Sequence, residues 1–214
     1  MMRNWVTAWA LLLIVCAGAL GADNDWQIWS DLKVKASLGD RVDFTFKPAV
    51  RWRDNGNDFY YTRYDAGFKV VFNENWAIEP FYSFRRKDGS SGWDHSDLFS
   101  THLFYTCRLG DTDFKFENRI RLEKNFDTER EAGRERIKLS RDIEAFKGLS
   151  VFAGDEIIYD FSGGDFKENR LQAGVKKKLD GGLSLEAAYQ LTSLRDAGHW
   201  EDYDTLVLSL GLDI

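Results

Sequence analysis

The feature that most constrains this chain is an alternation of apolar and polar residues that recurs along most of its length. In the segment FKFENRIRLEK (114–124), Phe114, Phe116 and Leu122 share one parity, and charged side chains occupy the other. Successive side chains of a β-strand point to opposite faces, so this segment predicts a strand with one apolar and one charged face. Eleven such segments follow one another after residue 25, which predicts an all-β fold.

Short turn sequences and longer polar links alternate between the predicted strands. Antiparallel neighbours place all short turns, such as LGD (38–40) and LDGG (179–182), at one end of a sheet. The longer links, such as RKDGSSGWDHSD (86–97) and RDAGHWEDYD (195–204), then lie at the opposite end. The predicted strands cover residues 26–38, 40–53, 58–72, 75–86, 97–109, 114–124, 134–146, 148–161, 167–179, 182–195 and 204–214.

Three properties of these strands decide which face points outwards. A soluble ligand-binding barrel also alternates, but its apolar face points inward. Here the strands are long enough to cross a bilayer at a tilt, turns and links differ in length as in outer-membrane barrels, and Tyr and Trp recur near strand ends. We therefore predict an antiparallel transmembrane β-barrel in the outer membrane of a Gram-negative bacterium. The alternatives are a soluble barrel and an open periplasmic sheet.

The number of strands raises a conflict with the usual pattern. Bacterial single-chain barrels contain an even number of strands, whereas the sequence offers eleven candidates. Either one candidate is false and ten strands close the barrel, or one segment hides a twelfth strand. The prediction is therefore a barrel of ten to twelve strands, with twelve preferred.

The start of the chain has the order of a secretory signal peptide. Arg3 precedes the apolar run WVTAWALLLIVCAGAL, and small residues follow up to Ala22. We predict that residues 1–22 are a cleaved signal peptide and that residues 23–214 form the barrel. The alternatives are a retained membrane anchor and a lipoprotein signal. Cleavage would leave one cysteine, Cys107, so the mature chain cannot form an intrachain disulfide.

Five segments of the chain carry a resemblance to a known family. They are IWSDLKVKASL, YYTRYDAGFKVVFNENWAIEPFYSFR, ENRIRLEKNF, RERIKLSRDIEAFKGLSVFAGDEIIYDF and FKENRLQAGVKKKLDGGLSLEAAYQL. In these segments, which cover most of the mature chain, the protein resembles the DUF2490 family of uncharacterised outer-membrane β-barrel proteins. The resemblance implies an outer-membrane location and supplies no activity and no catalytic residues. Ile214 departs from the aromatic residue with which outer-membrane barrels commonly end.

The charged parity of the strands lines the lumen if the apolar parity faces lipid. Basic residues outnumber acidic ones there, although the whole chain has a formal charge of −6. A water-filled lumen of this kind predicts a small channel that favours polar or anionic solutes. The alternative is a passive barrel whose lumen is filled by its own ion pairs. The predicted lumen-lining residues are Arg51, Arg63, Lys69, Arg85, Lys115, Glu117, Arg119, Arg121, Arg136, Lys138, Glu156 and Arg170.

Three polar residues interrupt the apolar face on neighbouring strands. An outward Arg at the bilayer midplane costs about 2–4 kcal/mol, so a partner is expected for it. The hypothesis is that Arg141 pairs with Asp155 and that the patch contacts a protein or a lipid headgroup. The alternative is a β-bulge that turns these charges inward. The predicted lipid-facing patch consists of Asn118, Arg141 and Asp155.

The sequence contains no convincing catalytic arrangement. Outer-membrane lipid enzymes use a Ser and a His, but His95 and Ser96 are adjacent in an extended segment and point in opposite directions. His102 is predicted to face the lumen, and His199 lies in a polar link. The sequence shows no metal-ligand spacing and no phosphate-binding Gly loop, so no cofactor and no metal are predicted.

The three functional interpretations imply different partners. A small channel or passive barrel contacts outer-membrane lipid, the barrel-insertion machinery and, if it conducts, small polar or anionic solutes. A non-conducting envelope protein would bind a partner through its outer loops or its lipid-facing patch. A membrane-embedded lipid-modifying enzyme is the third interpretation. Nucleic acid is not expected as a partner, because the chain is acidic overall.

Overall fold

The computed structural model describes residues 26–89, 92–196 and 198–214, which form a closed barrel of eleven β-strands. The predicted signal peptide, residues 1–22, lies outside these residues. Within the described part of the chain, no helix is both long and apolar enough to cross a membrane. The strands are β1 (Trp26–Ser37), β2 (Val42–Arg53), β3 (Asp58–Val71), β4 (Trp76–Gly89), β5 (Gly92–Arg108), β6 (Phe114–Asn125), β7 (Glu131–Asp142), β8 (Leu149–Asp160), β9 (Asp165–Lys178), β10 (Leu183–Asp196) and β11 (His199–Asp213).

The barrel closes through its first and last strands, which run parallel to each other. All other neighbouring strands are consecutive in the chain and antiparallel. The parallel ladder between β1 and β11 extends as far as Lys35, which lies opposite Asp213. Beyond it, the backbone N–H of Ser37 donates a hydrogen bond to the carbonyl oxygen of Ile214 over 3.1 Å.

The prediction of an all-β barrel is confirmed, but the preferred count of twelve strands is wrong. An odd number of hairpin-connected strands brings the first and last strands together in parallel, whereas the even-number rule assumes antiparallel closure. A parallel ladder also pairs the backbone N–H and C=O groups of both strands. The eleven alternating segments of the sequence therefore correspond to the eleven strands, and the described residues contain no twelfth strand.

The connections at the two rims of the barrel have similar lengths. We call the rim at which β1 begins the upper rim and the rim at which β11 ends the lower rim. Long links were predicted at the upper rim, but β4 continues to Gly89 and β5 begins at Gly92, while β10 ends at Asp196 and β11 begins at His199. Polar segments extend these strands because a ladder requires backbone groups and not apolar side chains. The predicted contrast between short turns and long links is therefore wrong.

The apolar parity of the strands lies on the outside of the barrel. The outward side chains of Phe68, Leu122 and Leu171 are 49%, 56% and 56% exposed, whereas the inward Glu79 is 1% exposed. This distribution is the reverse of that in a soluble ligand-binding barrel. The charged side chains on the other face of the strands consequently point into the barrel. The barrel interior is therefore the candidate functional site.

Candidate functional site

The barrel interior brings the predicted lumen-lining residues together. Cross-strand pairing aligns inward side chains in rows, as when Arg136 lies between Arg119 and Glu156. The predicted residues all lie on this inward parity: Arg51 on β2, Arg63 and Lys69 on β3, Arg85 on β4, Lys115, Glu117, Arg119 and Arg121 on β6, Arg136 and Lys138 on β7, Glu156 on β8, and Arg170 on β9.

Glu156 is the centre of one ion-pair network inside the barrel. Its carboxylate accepts hydrogen bonds from the guanidinium of Arg119 and, over 3.2 Å, from Nη1 of Arg170. Arg170 also donates from Nε to Glu168 over 2.5 Å. Glu156 is only 6% exposed, and a carboxylate in such a position is stable only when cations and hydrogen bonds compensate for its lost hydration.

A second network surrounds Glu123 near the upper end of β6. Its carboxylate forms ion pairs with Arg121 on the same strand and with Nη2 of Arg134, at 2.8 Å, on β7. Below it, Arg136 donates to Glu117 over 2.5 Å. The inward arginines of β6 and β7 are therefore each paired with a carboxylate, and they do not form a free cationic ring.

Aromatic side chains of β1 and β3 line the part of the wall that faces these networks. The guanidinium of Arg51 lies 3.7 Å from the ring centroid of Trp29 and 4.4 Å from that of Tyr61. The guanidinium of Arg170 lies 4.9 Å from the ring of Trp29. Cation–π contacts of this kind stabilise a desolvated guanidinium that a carboxylate does not fully neutralise. Trp29 therefore connects the Glu156 network to the wall formed by β1 to β3.

Glu79 organises a third buried group. Thr45 donates its hydroxyl to Oε1 of Glu79 over 3.0 Å, and Lys47 donates to Oε2 over 3.3 Å. Nδ1 of His102 lies 3.8 Å from the same Oε2. Both hydrogen-bond donors come from β2, although Glu79 lies on β4, so these side chains reach across β3 inside the barrel.

A glycine on β3 makes room for the bulkiest side chain of this group. Gly67 lies opposite Phe81 in the β3–β4 ladder. A Cβ atom at Gly67 would lie 2.6 Å from Cδ1 of Phe81 and 2.2 Å from the carbonyl oxygen of Pro80, which is far inside van der Waals contact. Phe81 therefore points into the lumen, where it is 1% exposed. The centroid of its ring lies 4.1 Å from Nζ of Lys47.

These groups together form what we call the buried layer of the lumen. Its side chains come from both sides of the barrel, and solvent reaches less than a tenth of each. The buried layer consists of Trp29, Thr45, Asp65, Glu79, Phe81, Ser100, His102, Arg121, Glu123, Phe152, Glu156, Ala188, Gln190, Thr205 and Val207.

Two members of the ion-pair networks were missed in the sequence. Arg134 has the parity of Arg136, and Glu168 has the parity of Arg170, so the alternation itself marks both residues as inward. They were omitted because each lies at the beginning of a predicted strand. Which acid pairs with which base could not be read from the alternation, because that choice depends on contacts across the lumen.

The predicted lipid-facing patch is divided into two parts. Arg141 lies next to the last residue of β7, at the lower rim, where it opposes Val151 and forms an ion pair of 3.3 Å with Asp113. Asp155 lies higher, opposite Ile137, so Arg141 and Asp155 do not pair. The predicted pairing is wrong because β7 ends at Asp142 and not at 146, which moves Arg141 to the rim.

The other two patch residues belong to a larger polar group on the outer wall. Nδ2 of Asn118 donates to Glu135 over 2.7 Å, and Nδ2 of Asn169 donates to Asp155 over 2.8 Å. Glu135 and Asn169 were missed because both lie near the ends of predicted strands. The bulge between Ile158 and Tyr159 does not turn Asp155 inward, because Asp155 remains aligned with the outward Ile137 and Leu171.

Inside the lumen, the side chain of a histidine lies between those of a serine and a glutamate. Oγ of Ser100 lies 3.3 Å from Nε2 of His102, whose Nδ1 lies 3.8 Å from Glu79. Their exposures are 0%, 4% and 1%, so solvent hardly reaches any of the three. Among the described residues, no cluster of three His, Cys, Asp or Glu side chains could hold a metal ion.

Comparison with known proteins identifies the family of the chain. A search of curated proteins found no match. The family model described as "Protein of unknown function (DUF2490)" matches residues 26–203, a range that begins with β1 and extends into β11. The match therefore includes the outer polar group and all of the buried layer except Thr205 and Val207, and the chain belongs to the DUF2490 family.

Proposed function

We propose that this chain is an outer-membrane β-barrel that spans the lipid and does not conduct. Its outer wall supports the location. Outward Phe, Leu, Ile, Trp and Tyr side chains from strands all around the barrel are exposed, including Trp76 at 42% and Tyr82 at 51%. Soluble monomers rarely expose apolar patches larger than a few hundred Å², whereas lipid solvates such a surface. The surrounding lipid and the barrel-insertion machinery are the proposed partners.

The buried layer is the observation that carries the non-conducting part of the proposal. A channel requires a continuous path of water along its lumen, and its lining side chains would be exposed to that water. Here the charged side chains of Glu79, Arg121 and Glu156 are 1%, 7% and 6% exposed, and each forms an ion pair with another inward side chain. The proposed role is therefore that of a structural envelope protein, which binds a partner through its rim or its outer polar group.

A small anion channel is the second candidate. It is favoured by the lower part of the lumen, where the inward Lys33, Arg108 and Lys115 are exposed. Conduction would then require movement of the buried layer. Such movement would have to separate buried ion pairs, and that requirement makes the closed barrel the better supported proposal.

Planar-bilayer recording of the refolded mature protein separates these two candidates. A gel-shift assay first establishes that the protein is folded in detergent. The proposal predicts no discrete conductance steps in 1 M KCl over a range of voltages, with a porin inserted into the same bilayer as a positive control. Discrete steps that are reproducible and anion-selective would contradict the closed barrel and favour the channel.

We propose no enzymatic activity for this barrel. Lipid substrates approach a barrel from its outer wall, whereas His102 and Ser100 lie in the buried layer. The test is phospholipid turnover in mixed micelles by the folded protein and by a His102→Ala variant. Turnover by the first protein that is lost in the second would revive the lipid-modifying interpretation.

A further inference from the structure

The lower part of the lumen contains three lysines without ion-pair partners. Lys33 on β1, Lys69 on β3 and Lys176 on β9 all lie on the inward parity. Inward side chains of a closed barrel face one another across the lumen, and Lys33 interacts electrostatically with both Lys69 and Lys176. Among the described residues, no carboxylate oxygen lies within 4.0 Å of any of their Nζ atoms. We call these residues the lysine vestibule.

The carboxylates next to the vestibule are already paired with other lysines. Asp43 lies opposite Lys69 in the β2–β3 ladder, but its carboxylate accepts from Ser37 Oγ over 2.9 Å and lies 3.8 Å from Nζ of Lys35. Lys35 lies at the same distance from Asp213. Lys35 is shared between these two acids, and neither acid lies within ion-pair distance of a vestibule lysine.

The same pattern occurs on the other side of the vestibule. Glu186 lies opposite Lys176 in the β9–β10 ladder, but its Oε2 lies 3.7 Å from Nζ of Lys138. Glu79, which attracts Lys33, is held by Lys47 at 3.3 Å. The vestibule therefore keeps an excess of positive charge that the protein itself does not neutralise.

Solvent reaches the vestibule, in contrast to the buried layer. Lys33 is exposed, and Lys69 and Lys176 are half-buried. Lys69 and Lys176 lie close to the lower ends of β3 and β9, which end at Val71 and Lys178. Water therefore reaches these side chains near the lower rim, whereas the side chains of the buried layer are almost inaccessible to it. Like charges that converge between low-dielectric walls strongly attract a multivalent anion.

We propose that the lysine vestibule is a binding site for a small multivalent anion of the phosphate type. Three ammonium groups offer several charge-assisted hydrogen bonds to the oxygens of such an anion, and the site discriminates by charge and size. The inference goes beyond the proposed function, because an anion can bind in the vestibule whether or not the barrel conducts.

The test is isothermal titration calorimetry of the folded protein in a zwitterionic detergent with inorganic pyrophosphate at low ionic strength. We expect saturable binding with one site per barrel, and Lys33→Gln or Lys176→Gln should weaken it about tenfold or more, since each removes one charge-assisted contact. Lys115→Gln is the matched control, because it removes an inward lysine near the same rim that is not among the charges acting on Lys33. This control should change the affinity less than about twofold.

Thermal unfolding provides an independent measurement if a variant folds poorly. Without anion, Lys33→Gln should unfold at the same temperature as the parent protein or higher, since it relieves like-charge repulsion. At one pyrophosphate concentration, the unfolding temperature of the parent and of the Lys115→Gln variant should rise by similar amounts, and that of Lys33→Gln should rise less. The proposal would be overturned if pyrophosphate showed no saturable binding, or if Lys115→Gln weakened pyrophosphate binding as much as Lys33→Gln does.

Discussion

Asp155 and Glu156 are neighbours in the chain and lie on opposite faces of the barrel wall. Glu156 points inward and pairs with Arg119 on β6 and Arg170 on β9, while Asp155 points outward and accepts one hydrogen bond from Asn169. Two carboxylates one residue apart are thus compensated in different ways. The inner carboxylate is bound by two guanidinium groups, and the outer one by an amide.

The curvature of the wall explains this difference. Side chains converge inside a closed barrel, so that Arg119 reaches Glu156 across the intervening β7, and Lys138 on β7 reaches Glu186 on β10. Side chains diverge on the outside, and the polar contacts of Asp155 are made with the adjacent strand. A charge inside the barrel therefore has more partners than the same charge outside, and four predictions follow from this comparison.

Replacement of Glu156 should have the largest effect. Glu156→Gln leaves the buried guanidinium groups of Arg119 and Arg170 without their shared carboxylate, and the free energy of unfolding should fall by about 3–5 kcal/mol. Asp155→Asn is the matched control and should change it by less than about 1 kcal/mol, because it keeps the shape and a hydrogen-bond acceptor. Urea unfolding in detergent, followed by tryptophan fluorescence, measures both values. Equal losses in the two variants would contradict the comparison.

A methyl group at Gly67 should have the next largest effect. Gly67→Ala places a Cβ atom in contact with Phe81 and with the backbone of β4, and overpacking of this kind costs about 1–3 kcal/mol. Gly39→Ala is the control, because a Cβ atom there meets no atom within 4 Å. The same unfolding assay compares them. A Gly67→Ala variant as stable as the control would show that the interior is not tightly packed.

Double-mutant cycles should separate an ion pair inside the barrel from one on its outer surface. Lys138 and Glu186 are 18% and 19% exposed, whereas Arg141 and Asp113 are 47% and 57% exposed. The coupling energy of the inner pair should be about 1–2 kcal/mol, and that of the outer pair below about 0.5 kcal/mol. The coupling energy of the outer pair should also disappear in high salt, because exposed charges are screened. A stronger outer pair would refute the effect assigned to curvature.

Replacement of Asp155 by an apolar residue should have the smallest effect, and its sign is informative. Asp155→Leu removes a carboxylate from the apolar outer wall and should stabilise the barrel in lipid vesicles by about 1 kcal/mol. Leu171→Asp, at the neighbouring outward position of β9, is the reciprocal control and should destabilise it. Destabilisation by Asp155→Leu would indicate that the outer polar group is required for a structural reason.

Much of the architecture could be predicted because β-strand alternation is a local property. The parity of Phe114 and Arg119 in one segment was sufficient to place one residue outside and the other inside. The eleven strands also correspond to eleven segments of the sequence. Errors occurred at strand ends, where polar segments pair through their backbone and no run of apolar residues marks where the strand begins or ends. Arg141, Arg134 and Glu168 were misplaced or missed for this reason.

The sequence alone determined the class of fold, the two faces of the wall and the charge of the interior, because each depends on residues two positions apart. Only the tertiary structure decided that β1 and β11 close the barrel in parallel, and that Glu79, Glu123 and Glu156 pair with the arginines and lysines around them. Closure and pairing across the lumen depend on the register of all eleven strands together. No short segment contains that information, and the same convergence leaves the lysine vestibule without a carboxylate.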